Sequence, residues 1–65
     1  MTIKVNQEPF VSKSDLLSGI LEEMNLSPKG IAVAVNNEVI PRLDWEQTVL
    51  KENDHVMIIK ATQGG

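Results

Sequence analysis

Few side chains in this sequence could carry out chemistry. Serines supply hydroxyl groups, but His55 is the single imidazole, and there is no cysteine to act as a nucleophile or a ligand. Nucleophilic catalysis needs a base beside the nucleophile, and metal sites need several His, Cys or carboxylate ligands close together. The sequence therefore argues against a catalytic triad and a metal site, and His55 is expected to have a structural or surface role.

Recognition motifs for phosphate and nucleic acid are also missing. No GxxxxGK[ST] or GxGxxG segment occurs, and the six basic residues are scattered along a chain of net charge −3. Nucleic-acid binding needs clustered positive charge, so no nucleic-acid partner is expected.

The first residues lack the pattern of a signal peptide, and no apolar run approaches the roughly 20 residues that cross a bilayer. We expect a cytoplasmic protein with no membrane partner.

The unusual chemical group is the carboxylate at the Gly64-Gly65 end. Ala61-Thr62-Gln63-Gly64-Gly65 is poor in apolar residues and follows the last predicted strand directly. With no side chain beside it, a glycine carboxylate can thread a narrow cleft and meet an attacking group unobstructed. A frayed end without function is the alternative, and the residues alone leave both open. We predict one domain over residues 1–60 and a flexible tail over residues 61–65.

The first half of the chain predicts a hairpin and a helix. Ile3 and Val5 alternate with polar residues, as in a strand with one buried face. The turn-type residues 6–9 then separate this strand from a short second strand at Phe10 and Val11. A helix is expected next, with Ser12 and Asp15 forming a capping box or Ser14 acting as the N-cap. Its apolar stripe is core. The stripe comprises Leu16, Leu17, Ile20, Leu21 and Met24.

The second half predicts three further strands. Residues 31–35 are rich in β-branched side chains, and Asn36-Asn37 after them suits a tight turn because asparagine tolerates positive φ. Residues 38–40 form the returning strand, which Pro41 ends at a sheet edge. Residues 55–60 carry apolar side chains at alternate positions on both faces of the strand, which places this last strand at the centre of the sheet. The chain is thus an α+β domain with one helix packed on one face of the sheet.

These elements and several local motifs resemble a known family. The motifs are Gly30-Ile31-Ala32-Val33-Ala34-Val35-Asn36, Val39-Ile40-Pro41-Arg42 followed by Trp45, Asn53-Asp54 and the closing Gly64-Gly65. Together they resemble the ubiquitin-like β-grasp proteins, and more closely the ThiS family of sulfur carriers in thiamine biosynthesis. The resemblance spans nearly the whole chain and implies a five-stranded mixed sheet of order 2-1-5-3-4.

The resemblance also implies a chemistry for the tail. An E1-like adenylyltransferase would use ATP to adenylate the Gly65 carboxylate, and a persulfide sulfur donor would convert it to a thiocarboxylate. Thiazole synthase would then receive the sulfur. Gly64 and Gln63 would thread the partner's cleft. The chain itself would bind no cofactor and would be a protein co-substrate, not an enzyme.

A docking surface is implied as well. By resemblance, Met57 and Ile59 on the last strand are predicted to dock partners, although coverage by neighbouring loops is the alternative. Leu43 places an apolar residue where the family pattern leads us to expect a polar one. Two other readings stay open: a molybdopterin synthase small subunit-like sulfur carrier, and a ubiquitin-like modifier or interaction module.

Overall fold

The computed structural model describes residues 1–60, and residues 61–65 lie outside the described part of the chain. The sheet is built by β1 Thr2–Val5, β2 Glu8–Val11, β3 Ile31–Val35, β4 Glu38–Ile40 and β5 His55–Lys60. A helix α1, Leu17–Glu23, joins the two hairpins, and a 3-10 helix, Arg42–Gln47, follows β4. The predicted boundary between a domain of residues 1–60 and a tail of residues 61–65 falls at the last described residue, so it stays a prediction.

The five strands lie in the order β2-β1-β5-β3-β4. β5 runs parallel to β1 and antiparallel to β3, and each hairpin is antiparallel. The predicted order and the central position of β5 are therefore confirmed. One face of the sheet is covered, and the core consists of Ile3, Val5, Leu17, Ile20, Leu21, Val33, Trp45, Leu50, Val56 and Ile58.

Two asparagine-led turns close the hairpins. Asn36 and Asn37 have φ of 51° and 72°, as predicted, and Asn6 and Gln7 repeat these values. The first turn is therefore two residues long, not four, and the second strand begins at Glu8. It includes Pro9, which the sequence had placed in the turn. Because β2 is an edge strand, the missing N–H of Pro9 breaks no ladder hydrogen bond.

The predicted capping box of Ser12 and Asp15 is wrong. The helix begins at Leu17, and Leu16 precedes it with no side-chain cap. The Leu17 N–H instead donates to the Thr48 carbonyl at 2.9 Å, beside a bridge between Leu16 and Val49. Main-chain pairing with a distant segment thus satisfies a helix end that a local side chain would otherwise cap.

No helix within residues 1–60 is long and apolar enough to span a membrane.

Gly19 lies where α1 passes close to the preceding loop. A Cβ built there would lie 2.8 Å from Ser14 Cβ, which is closer than real carbon contacts allow. A glycine inside a helix is less favourable than alanine by up to about 1 kcal/mol. The close approach explains why glycine occupies this helical position, since any larger residue would displace the loop.

The side chain of Glu23 anchors that loop. Although exposed, its carboxylate accepts hydrogen bonds from Ser12 Oγ at 2.7 Å and from the amides of Lys13 and Ser14 at 3.1 and 3.0 Å. The Ser12 hydroxyl, together with the two amides, holds the pKa of Glu23 below its ordinary value of 4.5.

We predict that Glu23→Gln lowers stability in a pH-dependent way. The pKa is lower in the folded chain, so Glu23 stabilises the fold above its unfolded pKa and loses this effect as the pH falls through the folded pKa. The difference in urea midpoint between wild type and Glu23→Gln should be widest at neutral pH and shrink on acidification. Glu22→Gln removes the same charge one residue earlier, away from the hydrogen bonds to the loop, and serves as the matched control. If the difference in urea midpoint between wild type and Glu23→Gln stayed constant as the pH is lowered, the lowered pKa of Glu23 in the folded chain would be contradicted.

Candidate functional site

The open face of the sheet lies opposite the core. Along β5, Val56 and Ile58 are buried, whereas Met57 and Ile59 are 45% and 55% exposed. The period of two in a strand explains this alternation, and it places both predicted docking residues on the uncovered side. Their use as a docking pair stays a prediction, but loops do not cover them.

Neighbouring strands extend this apolar surface. The register places Ala34 beside Met57 and Ala32 beside Ile59, and Val39 of β4 lies beside Ala34. Residues directly opposite in an antiparallel pair share one face. These five side chains form what we call the open-face patch: Ala32, Ala34, Val39, Met57 and Ile59. An exposed apolar group of this kind is a candidate interaction surface.

The β1 side of the same face is more polar. Lys4 lies beside His55 in the parallel pair, and both are exposed. His55 is thus a surface residue, as predicted. Within residues 1–60, no three His, Asp or Glu side chains are grouped so as to hold a metal ion. The open face therefore carries the apolar patch beside the polar side chains of Lys4 and His55.

Side chains from both turns hold β5 at its two ends. Asn36 Oδ1 accepts a hydrogen bond from the His55 amide at 3.0 Å, near the start of the strand. Toward the other end, Asn6 Oδ1 accepts one from the Ile58 amide at 2.8 Å, and Asn6 Nδ2 donates to the Ile58 carbonyl at 3.3 Å. Sequence reasoning took Asn36 only as a turn residue and Asn6 only as part of a strand break. Asparagine at a positive-φ turn position was the available signal.

Three predicted site residues lie outside the described part of the chain. They are Gln63, Gly64 and Gly65. The structure therefore leaves their assigned roles as predictions. It does show that Lys60, the last described residue, ends the central strand and that Ile59 of the open-face patch is its neighbour in the chain. In sequence, the candidate docking surface and the candidate reactive group are thus separated by only a few residues.

A mixed sheet of order 2-1-5-3-4, with one helix on its covered face, defines a ubiquitin-like β-grasp domain. The sequence pattern of the ThiS family matches residues 2–65. The chain belongs to the ThiS family.

Individual relatives agree with this assignment. A curated protein of Thermus thermophilus, "Sulfur carrier protein ThiS", is 34% identical over 61 residues, covering 94% of this chain and 95% of the relative. The protein of the same name from Escherichia coli is 28% identical over 46 residues, covering 71% and 70%. The crystal structure of the thiamine biosynthesis protein ThiS from Geobacter metallireducens superposes with a TM-score of 0.82, at 25% identity over the whole of both chains.

Proposed function

We propose that this protein is a sulfur carrier for thiazole formation in thiamine biosynthesis. The observation that carries the proposal is the match to the ThiS family pattern, which extends through Gly64 and Gly65. The names of the Thermus and Escherichia relatives agree with it. The absence of cysteine is consistent with it too, because sulfur held by this chain would have to reside at its carboxyl end.

The proposed reaction takes place on the Gly65 carboxylate. In the active site of a partner adenylyltransferase, a carboxylate oxygen attacks the α-phosphate of ATP and pyrophosphate leaves. The terminal sulfur of a persulfide then displaces AMP, and a thiol cleaves the resulting acyl disulfide to leave the thiocarboxylate. Activation as an adenylate supplies a good leaving group for a carboxylate that would otherwise be unreactive. This chain's part is to deliver an unobstructed terminus.

Docking is assigned to the open-face patch. Met57 and Ile59 are exposed and lie on the strand that leads to the tail. A partner that covers this patch gains apolar burial and also takes hold of the chain close to the terminus that it must act on. We propose that the adenylyltransferase and thiazole synthase bind this same face in turn. The carrier would then be activated and discharged without a separate recognition element for each enzyme.

Intact mass spectrometry tests the proposal. The purified chain is incubated with the ThiS-family activating enzyme, ATP and a persulfide donor. The expected result is a mass gain equal to the exchange of one oxygen for sulfur, which is lost again on reaction with thiazole synthase. Attachment to lysines of other proteins would instead identify a modifier. Transfer to a molybdopterin precursor would identify a molybdopterin synthase subunit, and an unchanged mass despite firm binding would identify an interaction module.

A further inference from the structure

β5 extends beyond the end of its neighbour β1. β1 ends at Val5, and the Asn6 amide still donates to the Val56 carbonyl at 2.9 Å. The next backbone groups of β5 on that side belong to Ile58, since N–H and C=O groups of alternate residues point to the same side of a strand. The chain of β1 has already turned away at this point. A backbone partner for Ile58 is therefore missing from the ladder.

The Asn6 side chain takes the place of that missing backbone. Its amide accepts from the Ile58 N–H and donates to the Ile58 carbonyl, as a paired residue of a neighbouring strand would. Asn6 can do this because it occupies the first turn position with φ of 51°, where asparagine is tolerated far better than most residues. The clamp lies two residues before the last described residue, Lys60. On the opposite side, β3 pairs with β5 as far as Lys60.

We propose that Asn6 is a positioning residue for the carrier reaction. The side-chain amide of Asn6 bonds to both backbone groups of Ile58 and so holds the C-terminal end of β5 in the sheet. This sets the direction in which the chain leaves Lys60 on its way to Gly65. The inference rests on the proposed function, which makes Gly65 the reacting group. Asn6 itself touches no reacting atom. It acts by limiting the orientations from which the terminus enters a partner's cleft.

Asn36 provides a matched control within the same fold. It occupies the equivalent first position of the second turn, also at φ of 51°, and its side chain also makes two hydrogen bonds. These go to the His55 amide and to Asp54 Oδ1, at the start of β5 and away from the exit. Asn36→Gly therefore removes a similar turn clamp without loosening the end of the strand.

The experiment compares Asn6→Gly with Asn36→Gly, because glycine accepts the positive φ of both turns. Adenylate formation by the activating enzyme is measured as a function of carrier concentration. We expect Asn6→Gly to lower kcat by about tenfold, since poor orientation of a reacting group reduces rate by one to two orders of magnitude. KM should change little, because the open-face patch is intact. Asn36→Gly should retain the wild-type kcat.

Hydrogen exchange at the Ile58 amide gives a second readout that needs no partner. Asn6→Gly should speed this exchange by about tenfold or more. Asn36→Gly should leave the Ile58 exchange rate unchanged, once any change in the free energy of global unfolding has been taken into account. Equal kcat values for the two variants would overturn the positioning role, and unchanged Ile58 exchange would overturn the clamp itself. A wild-type chain that is never adenylated would refute the proposed function separately, and the exchange measurement would still decide whether the clamp exists.

Discussion

Removal of Gly64 and Gly65 abolishes sulfur loading and leaves the domain folded. The core is built from residues 3–58, so the unfolding midpoint in urea should not change. Without Gly65, the new terminus lies two residues too close to the sheet to reach the catalytic atoms of an activating enzyme, a displacement of about 7 Å in extended chain. Intact mass after incubation with the enzyme, ATP and sulfur donor should show no exchange of oxygen for sulfur. The truncated chain should also fail to restore growth of a thiamine auxotroph.

Alanine substitutions separate the length of the tail from its narrowness. Gly64→Ala and Gly65→Ala keep the full length but add a methyl group close to the carboxylate. We expect each to slow loading without abolishing it, because the terminus can still reach the active site but fits a narrow cleft less well. Growth of the auxotroph on the truncated chain would refute the assignment of Gly65 as the reactive residue.

Most of the fold could be predicted because local rules and global packing agree. Asn36-Asn37 specifies a tight turn by its tolerance of positive φ, and the alternation of Ile3 and Val5 specifies a strand with one buried face. The strand at residues 55–60 was predicted to be central because a strand with apolar side chains on both faces fits poorly at a sheet edge. Each of these signals acts over a few residues and needs no knowledge of distant contacts.

Apart from the length of the first turn, the parts that sequence reasoning missed depend on contacts outside the local pattern. The helix starts at Leu17 because its first amide bonds to Thr48, a residue that no local pattern connects with it. Glu23 binds the loop that precedes its own helix, and Asn6 binds Ile58 across 52 residues. Side chains such as these have several locally acceptable roles. Only the assembled sheet decides which one is used.

The candidate site shows the same division. Sequence pattern showed that β5 has two apolar sides, but pattern alone could not tell which side α1 covers. The choice of Met57 and Ile59 came from family resemblance, and their exposure agrees with it. The chemistry of Gly65 has no signal in folding physics, because a terminal carboxylate contributes nothing to a core. Its assignment depends on the family match and on the experiments proposed above.

Replacement of Ile59 by aspartate weakens binding of the activating enzyme by at least about tenfold. Ile59 is 55% exposed and belongs to the open-face patch, so a partner that docks there buries it. Truncation of a residue that is a hot spot of an interface loses about 2 kcal/mol or more, and each 1.4 kcal/mol is about tenfold in Kd. Aspartate adds the desolvation of a charge. Isothermal titration with the enzyme measures Kd, and loading assays should show a raised KM with kcat nearly unchanged.

Leu43→Asp is the control for this prediction. Leu43 is 90% exposed and lies in the 3-10 helix, which packs against α1 and not on the open face. The same change of an exposed apolar residue to aspartate should therefore leave Kd unchanged. Equal losses in both variants would point to a general charge effect, since the chain already has a net charge of −3. If Ile59→Asp unfolds the domain, the face has been assigned wrongly, because an exposed position tolerates aspartate. Weakened binding by a folded Ile59→Asp chain, together with the lower kcat of Asn6→Gly, would separate docking by the sheet face from aiming of the terminus.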